Sequence, residues 1–143
     1  MRYGVPAHVT VRMPFLEPHH WDDRAFSELA SFLPLQVTLA RLEDRPGALV
    51  VVAEPDEHLR DLTDAVGRLW PSLPPHKPSY ARYQYHVTVV RTADADIRSR
   101  ATNAIAPQLP LHVTGTALWA AHGSLDVGLE HAVVAVSSEL SAD

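Results

Sequence analysis

The sequence contains no cysteine, a single lysine and no apolar run near the length of a membrane span, and each absence closes off a class of chemistry. Without cysteine there is no disulfide, no thiolate nucleophile, no iron–sulfur cluster and no cysteine-ligated zinc. Lys77 is the one lysine, every other basic residue is arginine, and the formal net charge is −5. An acidic chain is poorly suited to neutralising the phosphates of long nucleic acid, so duplex DNA is not expected as a partner. A small anionic ligand or the end of an RNA fits this balance better. A membrane-spanning helix needs about 20 apolar residues in succession. None occurs, and Met1–Pro6 lacks the apolar stretch of a signal peptide, so the expected location is the cytoplasm, with no membrane partner.

What is present is ordinary in bulk and unusual in pattern. The 143 residues are 46% hydrophobic and 20% charged, as expected of one globular domain with a real core. Ala7–Met13 alternates apolar and polar residues as a half-buried strand does. Asp22-Asp23 caps a short helix ending near Phe32, before Pro34. Leu35–Glu43 alternates again, and Arg45-Pro46-Gly47 turns the chain into an apolar strand, Ala48–Ala53. Pro55-Asp56-Glu57 opens a helix reaching Trp70, with Leu59, Leu62, Ala65, Val66 and Leu69 on one stripe. A proline-rich loop, Pro71–Pro78, follows.

The first pattern then returns. Tyr85–Arg91 reads as a strand, Asp94–Ala106 as a helix, and Leu111–Ala121 with His131–Val136 as a hairpin. His8 is 27 residues before Leu35, and His86 is 25 before Leu111. The repeated order of strand, helix, strand and strand predicts an α+β fold of two pseudo-symmetric lobes within one domain, residues 1–143. The pseudo-repeats span about 1–54 and 79–137, joined by the helix and the proline-rich loop.

Both repeats open on the same tetrapeptide, His8-Val9-Thr10-Val11 and His86-Val87-Thr88-Val89. In a strand, residues i and i+2 share a face about 7 Å apart. Each copy therefore presents an imidazole beside a hydroxyl, with its valines turned to the core. Two such strands supply what cleavage of a phosphodiester needs. A neutral histidine takes a proton from a hydroxyl or water, and a protonated one gives a proton to the leaving oxygen. Threonine hydroxyls donate to the non-bridging oxygens as charge moves onto them. The scheme needs no metal and no cofactor. A third copy of the spacing, His112-Val113-Thr114, lies in the second hairpin, away from the repeated position, and reads as structural. Spacing alone is thus cheap; the equivalent placement of two identical tetrapeptides is not.

With its opening Gly4-Val5-Pro6-Ala7-His8-Val9-Thr10-Val11, the following Pro14-Phe15-Leu16 and the proline- and tyrosine-containing approach to His86, the chain resembles the two-histidine (2H) phosphoesterases. Within them it is similar to the bacterial 2′-5′ RNA ligase-like and cyclic phosphodiesterase proteins. The resemblance covers most of the chain. It implies two α+β lobes of antiparallel sheet with helices outside, an active-site cleft between them, and His8, Thr10, His86 and Thr88 as catalytic residues. The implied activity is hydrolysis of a 2′,3′-cyclic or 2′-5′-linked phosphodiester in a small nucleotide or RNA terminus, by a monomer. A module that binds the same ligand without turnover is the alternative. Which histidine is base stays open, with a lean towards His86.

Other residues are weighed against plainer roles. Arg12 shares strand parity with His8, whereas Arg91 falls on the face opposite His86. Arg12, Phe15, Tyr80 and Arg82 are the candidates for substrate binding, with Lys77 comparable to Arg82. Tyr3, Phe15, Tyr80, Tyr83 and Tyr85 can stack on a base, but packing between the lobes is the better account of each. His19-His20 forms no complete metal site, and His58, His76, His122 and His131 read as surface residues.

Overall fold

The computed structural model describes residues 7–12, 15, 21–73, 83–124 and 128–136. Its first helix, α1 (Asp23–Leu29), begins where Asp22 accepts a hydrogen bond from the Arg24 amide and runs on into a 3-10 turn, Ala30–Phe32. Strands β1 (Leu35–Arg45) and β2 (Ala48–Ala53) form an antiparallel hairpin. Gly47 turns it with φ +74°, a left-handed conformation natural to glycine. Helix α2 (Glu57–Leu69) follows, then β3 (His86–Val90), α3 (Ala95–Ile105), β4 (Leu111–Gly115), β5 (Ala117–Ser124) and β6 (Gly128–Val136). The expected α+β class holds.

The larger sheet has the order β3-β2-β1-β4, and β5 pairs with β6 in a sheet of two. The first-half hairpin is thus flanked on both edges by strands of the second half. One expectation is corrected here. Leu111–Ala121 is not a single strand paired with the last one: its first part, β4, pairs with β1 from Leu35↔Gly115 to Leu39↔Leu111. The chain breaks at Thr116, and only Ala117 onward joins β6. The edge of β1 offered unpaired backbone groups, and β4 satisfies them.

Two apolar clusters hold the elements together. The stripe of α2 works as its spacing implies: Leu62, Ala65 and Val66 are buried with Phe26 and Leu29 of α1 and with Ala120, and Val11, Phe15, Trp70 and Leu118 pack around them. At the N-terminal end of α2, Leu59 packs with Val37, Ala53, Tyr83 and Tyr85, joined by Val9 and Val11. Val9 and Val11 thus turn to the core as strand parity requires, although Ala7–Arg12 forms no ladder. That corrects the strand expected there. The carbonyls of Thr10 and Val11 accept side-chain donors, Tyr83 and Thr63, rather than the amides of a neighbouring strand.

No helix among the described residues is long and apolar enough to cross a membrane.

Candidate functional site

His86 and Thr88 sit on β3, where cross-strand partners fix the face each side chain takes. Val52 lies opposite His86, Val50 opposite Thr88, and Val51 opposite Val87. His86 and Thr88 therefore share a face with two valines that are only 0% and 2% exposed. Val87 and Val89 are half-buried, less enclosed than the tetrapeptide suggested, because β3 lies at the edge of the sheet among the described residues.

The imidazole of His86 is held from one side. Its Nδ1 lies 2.8 Å from the Gln84 carbonyl oxygen and 3.4 Å from Arg45 Nη1. One ring nitrogen cannot donate to the first and accept from the second. The shorter contact decides: a carbonyl only accepts, so Nδ1 carries the proton, and in the neutral ring Nε2 presents its lone pair. Arg45 Nη1, beyond good hydrogen-bond range, is a neighbour of the ring edge. Arg45 is itself anchored, with Nε and Nη2 donating to Glu43 Oε2 at 3.1 and 3.0 Å and Nη2 donating to Gln84 Oε1.

The first tetrapeptide approaches from another direction. His8 is exposed and Thr10 half-buried. The Tyr83 hydroxyl donates to the Thr10 carbonyl at 3.0 Å, and the Tyr83 ring centroid is 6.2 Å from that of His86. One residue on, the Thr63 hydroxyl meets the Val11 carbonyl at 2.9 Å and the Leu59 carbonyl at 3.0 Å. Those two acceptors compete for the single hydroxyl proton of Thr63. The Tyr85 hydroxyl, 2.6 Å away, must therefore donate into Thr63 Oγ1. The backbone of the first segment is thereby tied to α2 and to the approach of the second.

The remaining candidates divide. Phe15 is half-buried, with its ring packed at 5.1 Å from that of Trp70 and 6.0 Å from that of Phe26. Tyr83 and Tyr85 are buried and meet edge to face at 5.0 Å, with the Arg60 guanidinium over the Tyr85 ring, so they too pack. Arg12 is half-buried and Arg91 exposed. Tyr3, His19, His20, His76, Lys77, Tyr80 and Arg82 lie outside the described residues, as do the side chains of His122 and His131. The third spacing is engaged in the sheet: His112 Nδ1 is 3.0 Å from Thr38 Oγ1, and Thr114 donates to Gln36 at 3.3 Å. Among the described residues no three histidine, aspartate or glutamate side chains gather into a metal set.

Sequence reasoning missed Glu43, Arg45, Gln84 and Thr63. Only Thr63 left a signal, as a hydroxyl beside the apolar stripe of α2. An imidazole held through Nδ1 can exchange a proton at Nε2, with the Arg45 guanidinium anchored behind it.

Residues 1–124, which include both tetrapeptides, match the family model described as the 2′-5′ RNA ligase superfamily, and the chain belongs to that family, part of the 2H phosphoesterases. No curated protein and no solved structure matches it.

Proposed function

We propose that the chain is a metal-independent phosphodiesterase that hydrolyses a 2′,3′-cyclic or 2′-5′-linked phosphodiester in a small nucleotide or at an RNA end. We place it in the cytoplasm, acting as a monomer. The observation that carries the reading is the convergence on Tyr83: its hydroxyl holds the Thr10 carbonyl while its ring lies beside that of His86.

In this reading His86 acts through Nε2 as the base, since Gln84 occupies Nδ1. It takes a proton from the attacking water as the new P–O bond forms. His8 gives a proton to the departing ribose oxygen as the old P–O bond breaks. Thr10 and Thr88 donate to the non-bridging oxygens, whose charge grows in the transition state. For a 2′,3′-cyclic substrate the product is a ribose monophosphate with one free hydroxyl.

The test is incubation with the four 2′,3′-cyclic mononucleotides and a 2′-5′-linked dinucleotide, with products identified by mass and phosphorus NMR. Turnover should survive a chelator and be abolished in folded His8→Ala and His86→Ala. Binding with no product on long incubation would instead identify a non-catalytic module. Full activity in either histidine variant would overturn the assignment.

A further inference from the structure

The side chains behind His86 form a continuous chain of contacts. Glu43 and Arg45 belong to β1, Gln84 to the segment entering β3, and they meet although 39 to 41 positions separate Arg45 from Gln84 and His86. Arg45 uses Nε and Nη2 on a single Glu43 oxygen and extends Nη2 to the Gln84 side-chain oxygen. Gln84 is therefore gripped at its side chain by Arg45 and offers its backbone carbonyl to His86 Nδ1. The planar guanidinium makes this possible, because its N–H groups diverge in fixed directions while an ammonium is a compact point donor. The Glu43 and Arg45 side chains are only 36% and 30% exposed, so the pair is partly shielded from water.

We propose that Arg45 is a positioning residue for His86: braced by Glu43, it fixes Gln84 so that the Gln84 carbonyl holds the imidazole with its proton on Nδ1 and presents Nε2 to the substrate. This rests on the two-histidine reading of the site. Arg45 acts through Gln84, and its role is to choose the tautomer and orientation of the base. For metal-bound histidines, removing the partner that orients the ring typically costs on the order of 10- to 100-fold, and the same orienting role is at work on His86.

The decisive measurement is the tautomer of His86, read from two-bond proton–nitrogen couplings in uniformly ¹⁵N-labelled protein with the imidazole neutral. Wild type should show the proton on Nδ1. Arg45→Ala should shift the population towards the Nε2-protonated form and lower kcat by on the order of 10-fold or more with KM little changed. Arg45→Lys, lacking the fork, should not restore the wild-type pattern. Gln84→Leu should reproduce the Arg45→Ala spectrum from the other end of the link. Gln84→Glu, which keeps an oxygen for Arg45, should retain the Nδ1 proton. If Arg45→Ala fails to fold, the Gln84 pair decides alone. An unchanged tautomer in folded Arg45→Ala, or in Gln84→Leu, overturns the proposal. So does a raised KM at constant kcat, which would make Arg45 a substrate-binding group. Absence of turnover in the wild type would instead count against the phosphodiesterase reading and leave the tautomer measurement standing on its own.

Discussion

The Tyr83 hydroxyl donates a 3.0 Å hydrogen bond to the carbonyl of Thr10, joining two segments 73 residues apart. Tyr83 is 5% exposed, and its ring rests edge to face on Tyr85. A buried aromatic with its one polar atom aimed at another segment fixes distance as well as contact.

Tyr83→Phe keeps the ring and removes that donor. The expected loss of stability is about 0.5–1.5 kcal/mol, the net worth of one such bond. Turnover on a 2′,3′-cyclic mononucleotide should fall by roughly 10-fold, because a displacement of about 1 Å can cost up to ~10²-fold. Urea denaturation and steady-state rates measure the two effects separately. A normal rate in a destabilised variant would mean that Tyr83 packs the fold without setting the site.

The same phenol makes stability depend on alkaline pH. Burial pushes its pKa above the ordinary 10.0, while a hydrogen bond with the Thr10 side chain pulls it down, the Tyr85 phenol adds to the rise and the Arg45 charge lowers it. The unfolded chain loses this proton near 10.0 and the folded chain only at higher pH. Ionisation thus favours the unfolded state between those values. The stabilisation is complete below the unfolded pKa and is lost as pH rises through the folded one. Urea midpoints taken on both sides of pH 10.0 should fall less steeply in Tyr83→Phe than in wild type.

Much of this arrangement was legible beforehand, for identifiable reasons. The stripe of α2 repeats with helical period, and a period of that kind reports one buried face whatever lies against it. Strand parity placed His86 with Thr88, and Val9 with Val11, because alternation is a property of the backbone. The ladders themselves were less legible. Leu111–Ala121 alternates without a strong breaker, and only the open edge of β1 decides that pairing changes at Thr116. Ala7–Arg12 has a strand's alternation without its ladder, since side chains take its carbonyls. Glu43, Arg45 and Gln84 were invisible, because distant segments bring them together and no local pattern marks the meeting.

Thr63 offers a test of cooperativity. Its hydroxyl serves the Val11 and Leu59 carbonyls and accepts from Tyr85. Thr63→Val keeps the shape and strands buried polar groups, at a cost of about 1–3 kcal/mol. Tyr85→Phe removes one donor from the same network. The double variant should be less destabilised than the sum of the singles by about 0.5 kcal/mol or more, as contacting members of one network are. Strict additivity in thermal or urea melts would show that the two hydroxyls are not coupled.

Gly47 isolates a backbone effect. With φ +74° and nothing within 4 Å of an added Cβ, Gly47→Ala meets no clash, only the left-handed penalty. The expected cost is about 1–2 kcal/mol, seen as a lower urea midpoint at unchanged m-value. A changed m-value would point to a rearranged hairpin.

Arg98 of α3 separates two kinds of contact made by one side chain. Its Nη2, with two hydrogens to share, lies 3.0 and 2.9 Å from the Arg45 and Ala48 carbonyl oxygens and 2.9 Å from Asp44 Oδ1, while Nη1 donates to the Thr92 carbonyl at 3.2 Å. The Arg98 side chain is 18% exposed and that of Asp44 is 82% exposed. Water and salt screen the ion pair, so Asp44→Ala should cost no more than about 0.5 kcal/mol and leave the rate unchanged. Arg98→Ala deprives backbone carbonyls at the β1–β2 turn and should cost about 2–3 kcal/mol. It also frees the backbone of Arg45, the residue that grips Gln84 behind His86. If that linkage matters, kcat should fall in Arg98→Ala and not in Asp44→Ala at the same temperature, with both proteins shown folded by circular dichroism. Equal effects of the two substitutions would place the weight on the exposed ion pair and remove Arg98 from the support of the site.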